Sequence, residues 1–193
     1  MRQNKIKHLF NPLEALLKFL SDLGVKNVII GGIAASLLGK TRFTADIDGL
    51  IFLSDKELEN FLKKAGNYGL LPRIKNVLEF VQKNRVILLK HKDSGINIDL
   101  SLGLIPFEFE VLNHAHPFKI GNIVLYLPTP EDLIIMKAVA HRPQDLEDIR
   151  SILEVNLNID FKRIKYWVKE FAKVLEMPEI FDDLKKLISH AGG

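Results

Sequence analysis

Two aspartates separated by one residue, Asp46 and Asp48 in "FTADIDGLIFL", are the first residues whose type and spacing could do chemistry. On a strand, side chains two apart share a face. Two carboxylates side by side repel unless a cation lies between them. Mg²⁺ takes carboxylate oxygens together with phosphate oxygens. The same pair projecting into solvent at a strand end would do nothing, so the surroundings decide. Upstream, Gly31 and Gly32 follow the β-branched run "VKNVII" and precede the small apolar run "IAASLL". That order reads as strand, break and helix, with free backbone amides where a phosphate could approach; a simple tight turn is the alternative. Downstream, Asp99 stands among apolar residues in "INIDLSL". An acid there is costly unless exposed or paired. If its strand neighbours that of Asp46 and Asp48, three carboxylates gather in one place.

A competing phosphate motif lies in the same stretch. "AASLLGKT", residues 34–41, meets the loosest P-loop pattern. A P-loop needs a strand, then the glycine-rich loop, then G-K-[ST] opening a helix. Here "AASLL" prefers helix and "RFTADIDGLI" prefers strand, so the order is inverted and Gly39 reads as a helix C-cap.

The elements that must position these residues follow from pattern. Leu13, Leu16, Leu17 and Leu20 have helical spacing over 9–22. "RFTADIDGLIFL" is β-rich and predicts a strand carrying both Asp46 and Asp48. "SDKE" from Ser54 to Glu57 is a capping box opening a helix to about residue 65. A charged helix is expected around 73–83. "RVILLKH" and "INIDLSL" flank "KDSG" as a hairpin. "PFEFEVLNHA" favours a short helix, and "FKIGNIVLYL" a second hairpin turning at Gly-Asn. From Thr129, a good N-cap with Pro130 at the first helical position, the chain reads as helices over 130–141, 144–154, 160–174 and 179–189. The expected fold is α+β, a mixed sheet flanked by helices with a C-terminal helical region. The boundary at "PTP" divides a domain 1–128 from helices 129–193 packed on it.

Bulk composition narrows the class. The chain has 193 residues, 47% hydrophobic and 26% charged, in the range of globular proteins. It has no cysteine, which excludes disulfides and Cys-ligated metal and suits a cytoplasmic location. The N-terminal segment lacks a signal-peptide core, and no apolar run nears the roughly 18 residues of a membrane span. The net charge of +3 permits contact with nucleotide or RNA without demanding it.

Taken together, "IGG", a gap, "DID" and the later "IDL" resemble the nucleotidyltransferase-fold superfamily. "R-x-T-x-D-I-D", with Arg42, Thr44, Asp46 and Asp48, is similar to the AbiEii-like toxins and small nucleotidyltransferases within it. So is "PEDLIIMKAVAHRPQDLEDI", with Lys137, Arg142, Asp145 and Asp148. The resemblance spans roughly residues 25–153. It implies a metal-dependent enzyme that moves a nucleoside monophosphate from a nucleoside triphosphate (NTP) to a hydroxyl. Asp46, Asp48 and Asp99 would bind Mg²⁺ or Mn²⁺, with Asp99 also helping to activate the hydroxyl. Gly31, Gly32, Ser36, Arg42, Thr44, Lys137, Asp145 and Asp148 would serve nucleotide binding; Ser36 reads equally as a small residue packing a short helix, Lys137 and Arg42 as exposed cations, and Asp145 and Asp148 as supports for Lys137 or Arg142, a further base, or helix-dipole partners. The acceptor would be a tRNA end, a protein or a small molecule, and an antitoxin or partner chain is implied by the toxin kinship. A catalytically weak nucleotide-binding module of the same fold is the alternative. One residue departs from the pattern: Gly49 follows Asp48 where an apolar residue is usual, which is expected to loosen the strand.

Other residues read more simply. His114 and His116 have no evident third metal ligand. Tyr166, Trp167 and Phe171 read as the core face of a tail helix. Arg73, Lys75, Lys83, Arg85, Lys90 and Lys92 form a loose basic stretch, either a solvated face or a guide for RNA.

Overall fold

The computed structural model describes residues 5–191; residues 1–4 of the N-terminal segment and 192–193 of the helical C-terminal region lie outside it. Five strands form one mixed sheet in the order β1 (Asn27–Ile30), β2 (Ile47–Ile51), β5 (Asn97–Leu102), β4 (Val86–His91), β3 (Leu70–Pro72). The β2–β5 pair is parallel and the other three pairs are antiparallel. The parallel pair matters most. A parallel neighbour requires a crossover, and the crossover here contains α3 (Asp55–Ala65), β3, α4 (Val77–Asn84) and β4. It returns the chain so that Asp99 stands opposite Asp48.

Strands β4 and β5 alternate in burial. Ile87, Leu89, Ile98, Leu100 and Leu102 are buried, while Leu88, Asn97, Asp99 and Ser101 on the other face are half-buried. One face therefore builds core and the other lends side chains to chemistry. Helix α1 (Phe10–Asp22) buries Leu13, Leu16, Phe19 and Leu20 at 1% exposure or less. Each such side chain contributes about 1.5–3 kcal/mol on burial. The capping box at Ser54 is formed. Helix α5 (Pro106–His114) follows, then the hairpin β6 (His116–Ile120) and β7 (Ile123–Leu127), whose turn places Gly121 at φ +59°. Thr129 caps α6 (Pro130–Ala140), accepting the Asp132 N–H at 3.1 Å. Helices α7 (Pro143–Val155), α8 (Phe161–Val174) and α9 (Pro178–Ala191) complete the chain. The α+β class and the mixed sheet flanked by helices are as the sequence implies.

Five local expectations need correction. The strand expected over 42–53 is only Ile47–Ile51, so Asp46 precedes β2 and Asp48 lies within it. Residues 39–46 are drawn off by tertiary bonds: Arg42 turns to α7, and the Thr44 carbonyl meets the His8 ring at 3.0 Å. The glycine pair does not separate strand from helix but opens α2 (Gly31–Leu38). The charged helix expected around 73–83 starts only at Val77, and a short strand, β3, precedes it, leaving Arg73 in the connection. Gly49 does not loosen β2: it pairs with Ile29 on one side and Leu100 on the other. A Cβ there would come within 2.9 Å of the Leu100 side chain. In the tail helix, Trp167 and Phe171 pack on Phe107, whereas Tyr166 is exposed.

Candidate active site

The glycines, the acids and the α6–α7 charges meet in one cleft of ≈ 480 Å³. Gly31, Gly32, Arg42, Thr44, Asp46, Asp48, Asp99, Lys137, Arg142 and Asp145 all line it. Register explains the acids: Asp48 pairs with Ile30 at the end of β1 and with Asp99 on β5. Adjacent strands lie about 4.8 Å apart, so the two carboxylates are close neighbours on one face. Burial pushes the Asp48 carboxyl above its ordinary range, and the charges of Asp99 and Asp46 push it further; the Gly32 amide and Lys137 oppose this. Asp99 is also pushed up, first by burial and also by Asp46, with Arg73 opposing.

The two glycines have specific steric causes. Gly31 sits at φ +61°, and a Cβ on it would fall 2.0 Å from Asp48 Oδ2. A Cβ on Gly32 would fall 2.2 Å from Thr44 Oγ1. The first turn of α2 thus lies directly against the acid-bearing strand and the loop before it. Among the described residues no side chain at the N-cap closes that helix start, and its Gly32 amide already serves the Asp48 carboxylate, as expected of a helix N-terminus, where anionic groups are favoured.

A buried charge network closes the other side. Lys137 Nζ lies 2.7 Å from Asp145 Oδ1 and 2.7 Å from Asp148 Oδ2. All three are at most 4% exposed. Arg42 donates to both oxygens of Asp148, at 2.6 and 2.8 Å. Arg142 Nε donates to Asp145 at 2.6 Å. Burial disfavours both carboxylates, but the hydrogen bonds and charges of Lys137, Arg42 and Arg142 outweigh it and hold both pKa values below the ordinary 3.8. Asp145 and Asp148 are three apart on α7, so one helix face serves both. The network ties the loop before β2 to α6 and α7.

Two residues expected at the nucleotide stand elsewhere. Ser36 is fully buried and donates from Oγ to the Arg42 carbonyl at 2.9 Å, holding the loop rather than lining the cleft. Asp148 lies behind Lys137 and Arg42 and is not part of the lining. The structure adds Ser101 and Gln144 to the cleft; the alternation Asp99, Leu100, Ser101 points to the first, since residues two apart share a face. It also pairs Arg73 with Asp99. His114 bonds Asp132 at 3.2 Å.

Asp46, Asp48 and Asp99 fit a divalent cation in donor chemistry: they are hard oxygen donors, and burial first, then neighbouring carboxylates, raises the pKa of Asp48 and Asp99. Among the described residues no three such side chains converge into a finished ligand set.

A glycine-opened helix beside in-register acids on a mixed sheet is the arrangement that the resemblance to nucleotidyltransferases implies. The chain belongs to the family described as nucleotidyltransferases of unknown function, DUF6036, which it matches over residues 4–185. No curated protein matches it. Among solved structures it is similar to an antigenic nucleotidyltransferase-like protein from Paracoccidioides brasiliensis, with TM-score 0.56 and 16% identity over 91% of each chain. It is also similar to the antibiotic-resistance factor ANT(2'')-Ia, with TM-score 0.57 and 14% identity over 93% of this chain and 97% of that one. A third likeness is to the lincosamide antibiotic adenylyltransferase LnuA in its lincomycin-bound form, with TM-score 0.52 and 13% identity over 78% and 97%. At these identities the likeness establishes the fold. No described helix is long and apolar enough to cross a membrane.

Proposed function

We propose that the protein transfers a nucleoside monophosphate from an NTP to an acceptor hydroxyl, using Asp46, Asp48 and Asp99. The observation that carries this reading is the Asp48–Asp99 register beside the Gly31–Gly32 helix start, inside one cleft with Lys137 and Arg142. The acceptor oxygen forms a bond to the α-phosphorus, the α–β phosphoanhydride bond breaks, and pyrophosphate leaves. Asp46, Asp48 and Asp99 would hold Mg²⁺ or Mn²⁺, which when bound supplies charge neutralisation for the triphosphate and the leaving group.

The chain's own residues supply the rest. The amides at the start of α2 receive triphosphate oxygens. Thr44 presents its hydroxyl at the same turn, held there by contact with Gly32. Lys137 spends two of its three donors on Asp145 and Asp148, leaving one for a phosphate oxygen. Arg142, largely exposed at the rim and bonded to Asp145, adds a second cation. Asp99 lies on the side away from the glycines, where it helps to activate the attacking hydroxyl. Asp145, Asp148, Arg42 and Ser36 serve nucleotide binding by fixing Lys137 and the Thr44 loop.

Kinship with AbiEii-like toxins is part of this reading, resting on the spacing of Arg42, Thr44, Asp46 and Asp48. It favours RNA, such as a tRNA end, or protein as acceptor, with an antitoxin as the partner chain. A small molecule is the remaining class, since two of the similar structures are a lincosamide antibiotic adenylyltransferase and an antibiotic-resistance factor. A non-catalytic nucleotide-binding module would not need three acids in one cleft. Asp46→Asn with Asp48→Asn separates these readings. Loss of transfer in a folded variant supports catalysis, and unchanged nucleotide binding and activity would remove the acid-based mechanism.

A further inference from the structure

Asp46, Asp48 and Asp99 together have one directly bonded side-chain cation among the described residues. It is Arg73, whose Nη2 donates to Asp99 Oδ1. The contact has a definite architecture. Arg73 follows β3, and its backbone N–H donates to the Leu88 carbonyl at 3.0 Å. Leu88 in turn stands opposite Asp99 across the β4–β5 pair. Asp48, Asp99, Leu88 and Arg73 therefore form a row across the sheet, and the guanidinium reaches back over one strand to the carboxylate. Its anchor lies in the connection before α4, outside any strand or helix.

The resting contact is incomplete. Arg73 Nε is buried and has no hydrogen-bond partner among the described residues. A buried donor without a partner is unfavourable, so the docked arrangement is not the best that the guanidinium could find. The side chain is also 24% exposed, so water or an anion can reach it. On the other side, Asp99 cannot serve both cations equally well. A divalent ion bound at its oxygens would lie within a few ångström of the guanidinium, and like charges repel strongly at that range in a half-buried cleft.

We propose that Arg73 is an exchangeable counter-ion for Asp99: it occupies the third acid before the divalent cation arrives and must withdraw for that acid to become a ligand. Arg73 is thus a positioning residue that acts through Asp99, setting how readily the acid cluster loads. The proposal rests on the nucleotidyltransferase reading of the three acids.

The test is Mn²⁺ binding to the full chain without nucleotide, followed by electron paramagnetic resonance of the free ion and by calorimetry. Wild type, Arg73→Gln, Asp99→Asn and the double variant form a cycle. Arg73→Gln is expected to bind Mn²⁺ on the order of tenfold more tightly. That gain should vanish in the Asp99→Asn background. Arg73→Lys, which keeps the charge and loses the planar fork, should fall between. Circular dichroism confirms that each variant is folded. A folded Arg73→Gln that binds no tighter than wild type overturns the proposal. A gain that persists without Asp99 also overturns it, because Arg73 would then act as a diffuse positive charge. If wild type binds Mn²⁺ and Asp48→Asn does not, while Arg73→Gln matches wild type, only the exchange falls. If no form binds Mn²⁺ even with NTP present, the metal reading falls with it.

Discussion

Asp48 is a residue whose environment works against its charge. Burial and the neighbouring Asp99 and Asp46 raise its pKa. A raised carboxyl pKa means that ionisation costs stability above that pKa, and protonation relieves the cost. Asp48→Asn removes the charge at nearly constant shape. The variant is expected to abolish transfer and yet to melt at a higher temperature than the wild type without metal. A lower melting temperature in scanning calorimetry would show that Asp48 is structural. Gly31 is the counterpart. Gly31→Ala places a methyl where Asp48 Oδ2 stands, on a backbone at positive φ. The expected result is weakened Mn²⁺ binding together with reduced stability, read by titration and melting. At this scale the sequence was informative about identity and weaker about partnership. Asp48, Asp99 and the glycines were legible because few functions place such residues together in that order. The reason for each glycine was not, because the side chains it accommodates belong to other segments. Ser36 shows the same limit: a small polar residue one turn into α2 looks available to a phosphate, and instead it binds the Arg42 carbonyl.

The α6–α7 pair is the element that the charge network depends on. Lys137 is buried between Asp145 and Asp148. Removing one member of a buried ion pair leaves uncompensated charge and costs about 3–5 kcal/mol. Lys137→Met is expected to lose stability of that size in urea unfolding near neutral pH. The pH dependence has a definite sign. Asp145 and Asp148 have folded-state pKa values below 3.8. Their stabilising contribution is therefore full above the unfolded value and disappears as pH falls through the folded values. Wild type should lose stability steeply below about pH 4, and Lys137→Met should lose much less over the same range. Equal slopes would show that the network does not contribute. Element boundaries illustrate why sequence patterns mislead near a site. Helices α6–α9 and both hairpins follow from caps, turns and spacing. The stretch 42–46 looks like strand by residue type, but Arg42 and Thr44 are committed to α7 and α2, so the ladder starts only at Ile47. The strand β3 was hidden because three residues, one of them a proline, carry too little alternation to register.

Across the whole molecule, the sheet and the C-terminal helices share bonds that neither could keep alone. Asn156 donates to the Leu38 carbonyl at 2.8 Å, and Arg42 grips Asp148. Buried faces of α2 and α6 would be opened to water if the chain were divided at Pro128. We propose that residues 1–128 and 129–193 fold as one cooperative unit although the chain changes character there. A fragment ending at Pro128 is expected not to fold, and the full chain to unfold in urea with coincident fluorescence and circular dichroism transitions. Two separated transitions would contradict this. The division into a mixed sheet followed by helices was legible in the sequence, because strand alternation gives way to helical spacing at Thr129. The convergence of both parts on one cleft was legible only through the resemblance that joins Lys137 and Asp145 to the glycines and acids, and not from local pattern, since it depends on long-range register.

The measurement that bears most directly on the account is transfer of label from each NTP, radioactive at the α-phosphate, onto RNA and onto protein with Mg²⁺ or Mn²⁺. Wild type is expected to place label on an acceptor, and folded Asp46→Asn or Asp48→Asn to place none. Label that persists undiminished in both variants would contradict it.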